Sequence, residues 1–123
     1  MFLELFLGNR GRAVAEAAED PAKDRQRELG AALFSRVMEA VRENPHMGGK
    51  RSLIVSKWEN KAGSYSVIVT LKKPGWSGCM MQFNMRLTGL EWLYGPDGPT
   101  EEAPLDDFER MADKACEHVR SFT

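Results

Sequence analysis

Residues 79–87 alternate along their whole length. Cys79, Met81, Phe83, Met85 and Leu87 take the odd positions, and Met80, Gln82, Asn84 and Arg86 fall between them. Successive side chains of a strand point to opposite faces, so this period of two predicts a strand with one face on a core and one in water. Two upstream runs behave alike. From Arg51 to Asn60, Leu53 and Val55 share one face and Ile54 and Trp58 the other. From Ser64 to Lys73, Tyr65, Val67, Val69 and Leu71 oppose Ser66, Thr70 and Lys72. Only Lys61–Ser64 and Pro74–Gly78 separate the three runs, too little chain for a parallel crossover, so an antiparallel meander is expected. Leu90, Trp92 and Tyr94 predict a short fourth strand after a turn at Thr88-Gly89.

Helical periodicity flanks these runs. Asp20-Pro21 has the form of a helix start, a capping carboxylate followed by a proline at the first position. Leu29, Leu33, Val37, Ala40 and Val41 then recur at helical spacing, widened by Phe34 and Met38, until Asn44-Pro45 ends the helix. Gly95–Pro99 reads as a rigid loop. Pro104 opens a last helix with Asp106 and Asp107 in its first turn and an apolar stripe of Leu105, Phe108, Ala112, Ala115, Val119 and Phe122. The expected fold is α+β, a three- to four-stranded antiparallel meander packed with an N-terminal and a C-terminal helix, in the order α-β-β-β(-β)-α. One domain is expected over 1–123, with a core from 20 onward and residues 1–19 an N-terminal extension or oligomer contact.

With 123 residues, 42% hydrophobic and 28% charged, the chain has the balance of a globular protein that buries about two thirds of its surface. The apolar Phe2–Leu7 stretch is far shorter than the roughly 20 residues of a membrane span, and it lacks the basic leader of a signal peptide. A cytoplasmic location away from membranes is therefore expected. Cys79 and Cys116 belong to no paired-cysteine or Cys/His motif, which predicts reduced core residues.

Charge is divided along the chain. Residues 46–86 carry seven bases against one acid, a balance of +6, whereas residues 87–123 carry nine acids against three bases, a balance of −6. The bases are expected to collect on the face of the sheet turned away from the helices. Partner-binding candidates are Lys57, Trp58, Lys72, Lys73, Trp76, Met80 and Arg86, cations with aromatic and flexible apolar neighbours.

Motifs of chemistry are weak. Met47-Gly48-Gly49-Lys50-Arg51-Ser52 resembles a phosphate loop, but it lies between a helix and a strand in the wrong order, and Arg51 replaces the magnesium-binding hydroxyl. Cys116 and His118 stand two apart on a helix and so point to different faces. His118, near a helix C-terminus, suits a cationic helix-end role. Glu91 reads as a polar position on the outer face of a strand. No catalytic, metal or cofactor assignment follows, and the chain leans away from an enzyme.

The order helix, three strands, helix over residues 21–122 resembles that of double-stranded-RNA-binding domains, in topology alone. That family reads phosphates with lysines at the start of its last helix. Here Asp106, Asp107 and Glu109 occupy that place, so the RNA-binding role is not carried over. The expected function is a small non-enzymatic protein-binding module of the accessory, regulatory, inhibitor or chaperone-like kind, using an amphipathic, basic sheet face. One alternative is nucleic-acid or polyanion binding through that face. Another is an enzyme or small-ligand binder whose pocket joins distant residues. A homodimer would account for exposed apolar surface.

Overall fold

A computed structural model of the chain describes residues 21–60, 63–95 and 98–123. The expectations for Phe2–Leu7, for residues 1–19 as an extension or oligomer contact, for the Asp20 cap and for Lys61 lie outside the described residues. The chain forms helix α1 (Pro21–Glu43), strands β1 (Ser52–Asn60), β2 (Ser64–Lys73), β3 (Trp76–Arg86), β4 (Leu90–Leu93) and β5 (Thr100–Ala103), and helix α2 (Phe108–Ser121). A single turn of 3-10 helix, Leu105–Asp107, leads into α2. The five strands pair in sequence order, each antiparallel to the next. This is the expected α+β arrangement with one strand more than foreseen. Thr100–Ala103 pairs with β4 across the Gly95–Pro99 loop. Its sequence, Thr-Glu-Glu-Ala, has no apolar alternation to announce it.

Both helices pack on one face of the sheet. The stripe of α1 is Gln26, Gly30, Leu33, Val37 and Ala40, all buried, and that of α2 is Phe108, Met111, Ala112, Ala115, Cys116 and Val119. Beneath them lie Leu53, Tyr65, Val67, Val69, Leu71, Met81, Phe83, Met85, Leu90 and Trp92. α1 covers β1 to β3, and α2 lies beside it over β4.

Gly30 sets the closest approach. A Cβ built there would stand 2.5 Å from the Tyr65 ring, so only glycine lets α1 settle onto β2. Two buried amides fasten the helix at its ends. Gln26 Nε2 donates to the Gly63 and Met85 carbonyls at 2.7 and 2.6 Å, tying the first turns of α1 to β3 and the β1–β2 turn. Asn44 Nδ2 donates to the carbonyls of Val119 and Phe122 at 2.7 and 2.9 Å, and its Oδ1 accepts from the His46 amide at 2.6 Å. The residue that ends α1 thus also satisfies carbonyls that the end of α2 leaves free.

The alternation of β3 is interrupted. Val69 pairs with Met81 but Thr70 pairs with Cys79, which leaves Met80 as the extra residue of a β-bulge. Upstream of it the phase is reset, so Gly78, not Cys79, shares the face of its partner Leu71. Two expectations are corrected. Met80 is only 5% exposed and belongs to the core, and Cys79, half-buried opposite Thr70, does not share the core face.

Gly30→Ala is expected to destabilise the protein, although alanine normally favours a helix interior by about 0.5–1 kcal/mol. Urea unfolding reads the sign directly. By the same measurement Asn44→Ala should cost about 2 kcal/mol, because it strands two carbonyls beside a loop amide.

Candidate functional site

Cross-strand partners share a face, so the pairing maps the face that neither described helix covers. One row runs across all five strands as Trp58, Ser66, Asn84, Glu91 and Glu102. The row beside it is Ser56, Ile68, Gln82, Leu93 and Thr100. Beyond that lie Ile54, Thr70 and Cys79, then Ser52, Lys72 and Ser77.

The middle of this face is a hydrogen-bonded ladder. Ser66 Oγ donates to Asn84 Oδ1 at 2.7 Å, and Gln82 Nε2 donates to the same oxygen at 2.8 Å. Asn84 Nδ2 donates to Glu91 Oε1 at 2.9 Å, and Arg86 reaches that oxygen at 3.3 Å. Glu91 does lie on the outer face of β4, as its sequence position implied, but with a defined partner set. The ladder spans β2, β3 and β4 and fixes the direction of each amide, because Asn84 must both accept and donate.

The apolar part lies toward β1. Ile54 and Trp58 are 44% and 55% exposed, and with Trp76 they are the large hydrophobic residues most open to water among those described. Ile68 stands opposite Ser56, which makes Ile54 and Trp58 its two diagonal neighbours. Half-buried Leu93 continues the same row beyond Gln82.

The seven residues singled out in the sequence do not form one patch. Trp58, Lys72 and Arg86 lie on the uncovered face, Lys72 toward the β2–β3 hairpin and Arg86 at the far end of β3 in an ion pair with Glu91. Lys57 faces the helices, its Nζ 5.7 Å from the centre of the Phe34 ring. Lys73 and Trp76 pair at the hairpin, on the side shared by Leu71 and Gly78, with Lys73 Nζ 5.1 Å from the indole centre. The Trp76 ring lies against Gly78, where a Cβ would come within 2.7 Å of it. Met80 is buried. Among the described residues this face therefore carries Lys72 and Arg86 against Glu91 and Glu102, a balanced set and not the basic one expected. Strand alternation dispersed the bases: cations on odd and even positions of one segment must go to opposite faces.

The acidic C-terminal segment finds its partners elsewhere. Arg36 of α1 pairs with Glu109 at 3.0 Å and with Asp113, and Arg25 with Asp106 at 3.5 Å; in the reverse sense Arg120 of α2 pairs with Glu43 of α1 at 3.5 Å. Glu101 accepts from Lys114 at 2.8 Å and from Tyr94 and Arg110, and the Lys114 bond leads in holding its carboxyl below the ordinary range. Such exposed pairs are screened by water and contribute little to stability.

Reactive groups are muted. Both cysteines are free, and burial raises both thiols, so neither is poised as a thiolate. His118 does not take the cationic helix-end role expected of it. Its ring sits 5.8 Å from Trp92, 5.7 Å from Tyr94 and 6.3 Å from Phe122, and desolvation lowers its pKa below 6.5. Among the described residues no group of three or more His, Cys, Asp or Glu side chains is placed to hold a metal ion. No described helix is long and apolar enough to cross a membrane. An open recess of about 470 Å³ beside the β3–β4 turn is lined by Arg86, Thr88, Glu91, Glu102 and Pro104, the polar end of the ladder.

Since the folded protein resists charging His118, stability is full above pH 6.5 and falls as pH drops below it, while the unfolded chain takes up the proton first. Glu101 acts in the same direction at lower pH. Thermal melts from pH 7.5 to 5.5 should show a falling midpoint, and His118→Phe should flatten that fall. Compared with known protein families, with curated proteins and with solved structures, the chain matches none.

Proposed function

We propose that this chain is a small non-enzymatic protein-binding module that engages another protein through the face of its sheet opposite α1 and α2. The observation that carries the reading is the cluster of Ile54, Trp58 and Ile68 beside an ordered polar ladder. Large apolar side chains held on a rigid sheet lose little entropy when they bind, and each gains about 1.5–3 kcal/mol on full burial. The ladder supplies the other half of a recognition surface. Its amides are pre-oriented by Glu91 and Ser66, so a partner meets fixed donors and acceptors beside an aromatic anchor.

Among the described residues the face is balanced in charge, which favours a partner of mixed polarity over a polyanion. Polyanion binding retains support only at the β2–β3 hairpin, where exposed Lys72 and Lys73 adjoin Trp76. Two cations and one indole form a small footprint for a phosphate backbone, whose affinity grows with the number of phosphates neutralised.

Immobilised wild-type protein is expected to capture a defined partner from its host. The Ile54→Glu/Trp58→Glu variant should bind that partner at least about tenfold more weakly, a loss near 1.4 kcal/mol. Lys50→Glu, on the α1–β1 connection, should bind it as the wild type does. Capture indifferent to the double substitution, or no reproducible partner at all, would refute the reading.

A further inference from the structure

We propose that the outer edge of β1 pairs with β1 of a second copy of this chain, antiparallel and centred on Ser56, joining two five-stranded sheets into one of ten strands. Among the described residues β1 pairs only with β2, so no described strand lies along the other side of this nine-residue strand. The sheet's other edge is β5, with four residues of which two are glutamates. Short, charged edges resist pairing, and long ones with exposed apolar side chains invite it.

The composition of β1 is self-complementary about its own midpoint. Ser56 is the centre of Ser52–Asn60, and Ile54 and Trp58 flank it at equal distance on the same face. A two-fold axis at Ser56 overlaps all nine residues. It sets Ile54 opposite Trp58 of the partner subunit, and Trp58 opposite Ile54 of the partner subunit. Aromatic and β-branched residues facing each other across an antiparallel pair are among the more favourable combinations. Because the axis repeats the contact, each favourable pair is made twice. Moving the axis by one residue to Val55 or Lys57 keeps the faces but sets both large side chains opposite small polar ones.

Charge is consistent with this register. Glu59, which pairs with Arg27 of its own α1, falls diagonal to Arg51 of the partner subunit, whose guanidinium donates to the Thr123 carbonyl within one copy, so the register brings no like charges together. Lysine is the usual guard of an open edge, and the one described lysine of β1, Lys57, is drawn over the Phe34 ring of its own α1. Within one copy Ile54 and Trp58 remain nearly half exposed or more, and pairing across the edge would cover part of each.

Mass in solution reads this pairing without reference to any other protein, so its failure would leave the partner reading standing. Light scattering of the full chain should give twice the single-chain mass. Trp58→Lys should return it to one chain with an unchanged circular dichroism spectrum. Ser56→Cys in a Cys79→Ser background should form a disulfide-linked dimer on mild oxidation, because facing residues of an antiparallel pair lie about 4.5–5.5 Å apart at Cα, within disulfide range. A single-chain mass up to the solubility limit would overturn the proposal. So would a doubled mass that survives Trp58→Lys, or a Ser56→Cys chain that does not cross-link.

Discussion

How closely α1 can approach β2 governs the rest of the molecule. The helix presents Gly30 to the Tyr65 ring, and with no Cβ between them the stripe from Leu33 to Ala40 reaches Val67, Phe83 and their neighbours. Interiors pack at near-crystalline density, so a wider separation would open voids along the whole contact. Gln26 and Asn44 hold the two ends of the same helix, one on the sheet and the other on the end of α2. A helix fixed at both ends and in the middle leaves α2 one place to lie, beside α1 and over β4.

That arrangement decides what the remaining surface can do. With both helices on one side, the other face of the sheet keeps its polar ladder and its apolar corner near β1. The ladder is ordered because its members lack freedom. Asn84 receives from Ser66 and Gln82 and gives to Glu91, and reversing its amide would break the bonds to Gln82 and Glu91. The ordered polar strip thus lies next to Trp58 on the same face of the sheet. Its near-neutral balance also explains why the marked division of charge along the chain has no counterpart across the sheet.

The charge division is resolved between the helices. Arginines of α1, a segment of nearly balanced charge, take up the acids around α2, while the bases of the strands go partly to the hairpin and partly to either face. A run of like charge in sequence is thus no guide to a patch in space when the run is a strand.

The period of two over residues 51–87, the helical stripes on either side, and the stops at Asn44-Pro45 and Gly95–Pro99 are local properties, and by themselves they determined the α+β class, the strand order and most of the core. Four features were settled only by tertiary contact. The bulge at Met80 reset the phase of β3, because Met81 stayed in register with Val69 while Cys79 moved to face Thr70. Thr100–Ala103 became a strand through pairing with β4, having no alternation of its own. His118 is packed among aromatic rings, and the desolvation there lowers its pKa, against a cationic helix-end role. The polar ladder formed from residues up to 25 positions apart, each ordinary in isolation, because strand pairing set Ser66, Asn84 and Glu91 side by side. Periodicity is carried by neighbours along the chain and can be read there. Phase, partner and solvation depend on what lies across from a residue, which only the folded chain defines.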